Sequence, residues 1–244
     1  MLYSNAMKND ISIEQNKILG MLSGEIDDFY LAGGTALSLI YLNHRHSDDL
    51  DFFTQVFYVE RVREIVELLK KNTNKKITLT NENLSQLNAK IMIYNIEVSK
   101  DIFLKVDFVK DVLPLLKPVK LHRGVNILSM EDIYLRKIFT VSGLPVKEDE
   151  IGRKKFMGGR QEAKDLFDIY FLSKEFLSLS NFIEKYCDQV LKEGVIRWFR
   201  TFNRMEMKAD LADIKTEKIL TFRDIDRHLD EEIKKILEKE IDLS

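Results

Sequence analysis

Phe29-Tyr-Leu-Ala-Gly-Gly-Thr-Ala36, followed by Asp49-Leu-Asp-Phe-Phe-Thr54, is the stretch on which the fold turns. Its first four residues form an apolar run of the length of a short buried strand, stopped by Gly33-Gly34. Thr35 to Asn43 then sets Leu37, Ile40 and Tyr41 at helical spacing, and Asp49 to Thr54 alternates polar with apolar residues as a strand does. The order is strand, glycine turn, helix, strand. On the second strand Asp49 and Asp51 are one residue apart, so both carboxylates leave the same face while Leu50 points to the core.

Working outward, Ile11 to Ser23 reads as an opening helix, and Val59 to Lys71 as an amphipathic one with Val62, Ile65, Val66 and Leu69 on its inner side. Lys76 to Thr80, Ala89 to Tyr94 and Phe103 to Val109 are short β-prone runs that would extend the same sheet. From Ser129 onward the pattern is almost wholly helical. Ser129-x-x-Asp132 and Thr221-x-x-Asp224 are capping signals, for a helix to about Val141 and for a last helix bearing Ile225, Leu229, Ile233 and Leu237. Further helices are expected over Glu162 to Leu172 and Ser180 to Phe202. The expected fold class is therefore α+β: a mixed sheet with helices over residues 7–128, then a helical domain over 129–244. Between them Lys147 to Gly159, with Gly152, Gly158 and Gly159, reads as a mobile charged loop.

The 244 residues suffice to bury a real core, and 45% hydrophobic with 32% charged residues place the chain among folded proteins rather than disordered ones. A net charge of −2, from 38 basic and 40 acidic side chains, means that any nucleic-acid contact needs a local basic patch. The single cysteine, Cys187, excludes an internal disulfide and a cysteine-rich metal site, and with no secretory or membrane-spanning segment the expected location is the cytoplasm. Cys187 lies among apolar helical residues and reads as packed core. Ser4-Asn5-Ala6 resembles the scar of a cleaved tag, which sets the expected native start at Met7.

Two carboxylates on one strand face repel unless a cation lies between them, and a hard divalent ion such as Mg²⁺ is the natural occupant. A solvated acidic turn would place the same residues, as a tight turn would the glycine pair; the two features together are what point to chemistry. A diglycine between a strand and a helix can present backbone N–H groups to phosphate beside such an ion. This combination resembles the polymerase-β-like nucleotidyltransferase pattern, although the gap from Gly34 to Asp49 is longer than usual, so the intervening helix or its exit must be extended. More narrowly, Leu31-Ala-Gly-Gly-Thr-Ala-Leu-Ser38 with Arg45-His-Ser-Asp-Asp-Leu-Asp-Phe-Phe53 resembles the AbiEii-type nucleotidyltransferase toxin family. Ser129-Met-Glu-Asp-Ile-Tyr-Leu-Arg-Lys137 and Arg160-x-x-x-Lys164-Asp-Leu-Phe-Asp168 resemble its later motifs.

That resemblance implies transfer of NMP from an NTP to an acceptor hydroxyl, with tRNA 3′ ends as the acceptor for some members, in abortive-infection or toxin–antitoxin systems. It implies two Mg²⁺ ions held by Asp49, Asp51 and a third carboxylate from a later strand. Asp107, in Val106-Asp-Phe-Val109, has the right form, with Asp101 and Asp111 as nearby alternatives. It further implies that Lys137 reaches the phosphates, that Asp165 or Asp168 orients Lys137 or the nucleotide, and that Gly33, Gly34, Thr35, Arg45 and Ser47 lie along the triphosphate. Lys137 could equally be a surface lysine and Asp168 purely structural. Arg153, Lys154, Lys155 and Arg160, with Phe156 among them, could track an RNA backbone or merely be solvated. An antitoxin partner is expected to act without direct binding. His44 and His46 lack a third spaced ligand and are assigned no metal. The rival readings are a small-molecule, antibiotic-type adenylyltransferase, and a non-catalytic nucleotide-binding protein on the same fold.

Overall fold

The computed structural model describes residues 2–85, 89–148, 154–157 and 159–242. These divide into two units: residues 1–41 and 47–132, and residues 42–46 and 133–244. In the first unit a long helix α1 (Leu2–Met21) leads to β1 (Tyr30–Leu31), a one-turn helix α2 (Gly33–Ala36) and a π-helical segment (Leu37–Leu42). Then come β2 (Asp49–Thr54), α3 (Val59–Thr73), β3 (Ile77–Asn83), β4 (Ile91–Ser99), β5 (Ile102–Lys110), β6 (Lys120–His122) and β7 (Val125–Ile127). All seven strands join in one mixed sheet of order β3-β4-β5-β2-β1-β7-β6. The α+β expectation is met. The strands β6 and β7 were not anticipated, since Val125-Asn-Ile127 is too short to show periodicity.

The segment after the glycines differs from a plain α-helix. It widens into a π-helix over Leu37–Leu42, and residues 42–46 then group with the second unit before the chain enters β2. Extra residues in the turn and this excursion together account for the long gap between Gly34 and Asp49.

Helices α1 and α3 cover one face of the sheet. Their inner residues Ile18, Val62, Ile65 and Leu69, with Leu22 just past the end of α1, are buried with Leu50, Phe52, Leu104, Val106 and Phe108 from the strands. Phe108 is the hub of this layer. Its ring lies 5.4 Å from Phe29, 5.7 Å from Phe52 and 6.2 Å from Tyr94, mostly edge-on, as ring quadrupoles prefer. Because side chains alternate along a strand, burying Leu50 and Phe52 on this side forces Asp49 and Asp51 onto the other.

The second unit takes up most of α4 (Met130–Ser142), a hairpin of β8 (Leu144–Glu148) and β9 (Lys154–Met157), and helices α5 (Ala163–Glu175), α6 (Leu179–Tyr186), α7 (Gln189–Thr201), α8 (Arg204–Leu211) and α9 (Phe222–Asp242). The N-terminus of α4 is capped as its sequence foretold: Asp132 N donates to Ser129 Oγ at 3.0 Å, and that hydroxyl donates to Asp132 Oδ2 at 2.6 Å. Thr221 and Asp224 pair in the same way ahead of α9. Of the span Lys147 to Gly159, which the sequence reads as a mobile loop, the described residues place Lys147 and Glu148 at the end of β8 and Lys154–Met157 in β9, with Glu148 in register with Lys154. Pairing satisfies the backbone N–H and C=O groups that the two strands turn towards each other, an outcome that charge and glycine content conceal. Arg153, Gly152 and Gly158 lie outside the described residues. No described helix is long and apolar enough to cross a membrane.

Truncating the hub should show its weight. Phe108→Ala is expected to cost ~3–5 kcal/mol of stability in chemical denaturation, because its neighbours cannot collapse into the space it leaves.

Candidate active site

Strand β2 runs parallel to β5, with Asp49 opposite Lys105 and Asp51 opposite Asp107. All four side chains stand on the sheet face away from α1 and α3, as a two-by-two array with three carboxylates and one ammonium. Neighbouring strands are ~4.8 Å apart, so unit charges at these positions interact strongly. Lys105 Nζ donates to Asp107 Oδ2 at 2.6 Å and lies 4.0 Å from Asp49 Oδ2. Burial works against the charged ammonium, but the hydrogen bond to Asp107 and the negative charges of Asp107, Asp49 and Asp51 outweigh it and raise the Lys105 pKa.

Of the alternatives for the third carboxylate, Asp101 occupies the turn between β4 and β5 with φ of +63°. Asp111 lies beyond the end of β5, where it accepts hydrogen bonds from Tyr30 Oη at 2.5 Å and Leu113 N at 3.2 Å. Only Asp107 of the three stands in register with Asp51.

The glycine elbow is built against this array. Gly33 has φ of +65°, and a Cβ there would lie 2.1 Å from Asp51 Oδ2. No other residue type fits, on backbone and steric grounds alike. Ala32 N donates to the Asp51 carbonyl at 2.8 Å, which locks the elbow to β2. Gly34 and Thr35 are buried in the first turn that follows. The Thr35 hydroxyl is committed inward, 2.8 Å from Ser47 Oγ and against the Asp49 carbonyl. Gln15, fully buried on α1, donates to the carbonyls of Ser47 at 2.8 Å and Asp49 at 3.0 Å. Gln15 thus braces the entry to β2 from a distance in sequence that no local pattern reveals. Lys105 was missed as well, although Lys105-Val-Asp107 places both charges on one strand face.

The remaining expected residues gather in the second unit, around two carboxylates of α5. Asp168 accepts from His44 Nε2 at 2.7 Å, from Arg45 Nε at 2.6 Å and Nη2 at 2.9 Å, and pairs with Lys137 Nζ at 2.7 Å. Asp165 accepts from Lys137 Nζ at 2.8 Å and from Arg160 at 2.6 and 2.7 Å. Lys137, Asp165 and Asp168 are all buried. Burial alone would push both carboxyl groups up, but Lys137 with Arg160 holds Asp165 below the usual range, and Lys137 with Arg45 holds Asp168 well below it. Burial likewise opposes the Lys137 charge, and Asp168 and Asp165 overcome it to raise the pKa. Lys137 is therefore no surface lysine: it is divided between Asp165 and Asp168, which Arg160 and Arg45 bond in turn. His44 belongs to this network, its ring stacked on Phe167 at 5.8 Å and tilted against Phe171 at 5.2 Å. Sequence reasoning considered it only as a metal ligand. Arg160, expected at an RNA backbone, holds Asp165 with a fork of two hydrogen bonds. Burial pushes the Cys187 thiol up to about 12, so it carries no thiolate at neutral pH.

Among the described residues no three Asp, Glu, His or Cys side chains converge as a ready-made metal cage. The donor set nevertheless fits Mg²⁺, which takes one or two carboxylates plus substrate phosphate oxygens rather than an all-protein cage. The missing Cβ at Gly33 leaves the Asp51 carboxylate its place beside the elbow.

A family model described as "Nucleotidyl transferase AbiEii toxin, Type IV TA system" matches residues 18–242. Among solved structures, a "putative nucleotidyltransferase" from H. pylori superposes with a TM-score of 0.61 at 20% identity, covering 95% of this chain and 97% of that one. JHP933 from Helicobacter pylori gives a TM-score of 0.52 at 19% identity, covering 95% of each chain. A short segment of 31 residues is 71% identical to the uncharacterized protein aq_aa25 of Aquifex aeolicus; it makes up 13% of this chain and spans 15% of that relative.

Two outcomes test the electrostatics. Asp168→Asn removes the carboxylate that pairs the buried Lys137 and Arg45 and is expected to cost ~3–5 kcal/mol in urea unfolding at neutral pH. A carboxylate with a depressed folded pKa stabilises above its unfolded value of about 3.9, and that stability is lost as pH falls through the folded value. The wild type should therefore lose stability below about pH 4, and the variant should lose less over the same interval.

Proposed function

This chain belongs to the nucleotidyl transferase AbiEii toxin family, and from that premise we propose that it moves NMP from an NTP to a hydroxyl of RNA, at the 3′ end of tRNA, with Mg²⁺ held by Asp49, Asp51 and Asp107. The observation that carries this reading is the in-register pairing of Asp51 with Asp107 beside an elbow that only glycine can form. The acceptor oxygen attacks the α-phosphorus in line, a new P–O bond forms, the bond from that phosphorus to the β-bridging oxygen breaks, and pyrophosphate departs. Asp107 accepts the hydroxyl proton and releases it to water. Mg²⁺, when bound, lowers the pKa of the attacking hydroxyl and offsets charge on the leaving pyrophosphate.

Gly33, Gly34 and Thr35 offer backbone N–H groups of a helical first turn, which have no partner within the helix, to the triphosphate oxygens. Ser47 keeps its hydroxyl near Thr35 at the same edge. In the second unit Asp165 and Asp168 keep Lys137, and Asp168 keeps Arg45, in fixed orientation, and a role for Lys137 in holding phosphate rests on the family. RNA as acceptor rests on the basic residues Arg153, Lys154 and Lys155 and on the family. Binding to a polyanion through several such contacts should weaken steeply with salt, which a small neutral acceptor would not do.

The test is incubation with each labelled NTP in turn, Mg²⁺ and total RNA. Label should move to RNA of tRNA size, and Asp51→Ala should reduce that transfer ~1000-fold or more while leaving the unfolding transition in place, since several kcal/mol of charge stabilisation is lost without opening a cavity. Label on a small molecule, or full activity in Asp51→Ala, would overturn the reading.

A further inference from the structure

We propose that Lys105 is a tethered counter-ion of the carboxylate site, a positioning residue that takes the place of a divalent cation in the nucleotide-free protein and thereby sets how weakly the metal binds. The inference rests on the metal reading of Asp49, Asp51 and Asp107 given above. Its basis is the array itself. One ammonium stands among three carboxylates on two adjacent parallel strands, bonded to Asp107 Oδ2 at 2.6 Å and 4.0 Å from Asp49 Oδ2.

Three carboxylates at this spacing repel one another unless a cation lies among them. Lys105 supplies one from within the chain, which lets β2 and β5 pair with the site empty of metal. The same contact competes with function, because an Asp107 oxygen that accepts from the ammonium cannot also serve as a metal ligand at full strength. A lysine suits the task better than an arginine would. Its charge is compact, its four-carbon stem is flexible, and its side chain is 39% exposed, so the ammonium can swing to water without opening a buried gap. Asp107 is far less exposed, at 10% for its side chain, and stays where it is. The metal must therefore displace a bonded cation.

Mn²⁺ titration of the full chain, followed by electron paramagnetic resonance, tests this with wild type, Lys105→Met and Asp51→Ala. Lys105→Met is expected to bind Mn²⁺ about 10-fold more tightly, on the worth of one charged hydrogen bond, and to melt lower than wild type in metal-free buffer with recovery on adding Mn²⁺. Equal or weaker Mn²⁺ affinity in Lys105→Met, with wild-type binding that Asp51→Ala abolishes, overturns the counter-ion role and leaves the metal site standing. Absence of Mn²⁺ binding in both wild type and Lys105→Met overturns the two together. Should Lys105→Met fail to fold, acetylation of Lys105 in the wild type, read by peptide mass spectrometry, decides the matter. Labelling that rises on adding Mn²⁺ supports displacement, and unchanged labelling overturns it.

Discussion

Parallel pairing of β2 with β5 brings Asp51 opposite Asp107 and Asp49 opposite Lys105, and the rest of the first unit is arranged to keep that register. A slip of one residue would turn every side chain of β2 to the wrong face, carrying Asp49 and Asp51 into the layer occupied by Phe108, Val62 and Ile65. The apolar packing on the helix side is thus what enforces the acidic face on the other. Ion pairing with Lys105 then lowers the cost of holding three like charges together. The elbow at Gly33 depends on the same register, because the backbone of Ala32 bonds to the Asp51 carbonyl and the Asp51 side chain lies where a Cβ would be.

The second unit solves a different electrostatic problem. Asp165 and Asp168, three residues apart on α5, are buried charges of one sign, and each would be untenable alone. Lys137 from α4 bonds both, while Arg45 and Arg160 close the outer sides. Residues 42–46 take part in this unit although they are flanked in sequence by residues of the other. The departure from the usual spacing between Gly34 and Asp49 therefore has a purpose visible only in three dimensions: it delivers His44 and Arg45 to Asp168.

Nucleotidyl transfer asks for charge placed in advance, where reorganisation at the moment of reaction would be slow and costly. Both units supply such placement with side chains fixed by several partners each. Asp168 accepts from three cationic or ring groups, and Lys137 is divided between two carboxylates, so neither can change rotamer without breaking a buried bond. Lys105 is the exception, held by one strong contact at a half-exposed position.

What the sequence by itself determined were the features written in local period: the strand from Asp49 to Thr54, the amphipathic faces of Val59–Thr73 and Phe222–Asp242, the Ser129 cap, and the Asp-x-Asp pair on one strand face. These follow from side chains alternating along strands and recurring along helices, and from caps that involve neighbours in the chain. What only the tertiary structure decided were partnerships across long separations: Asp107 rather than Asp101 or Asp111 opposite Asp51, Gln15 bracing Ser47 and Asp49, His44 bound to Asp168, and the pairing of β8 with β9. The physical reason is that a hydrogen bond or an ion pair depends on distance in space, and a residue's own neighbours in sequence say nothing about which distant charge the fold will bring within reach.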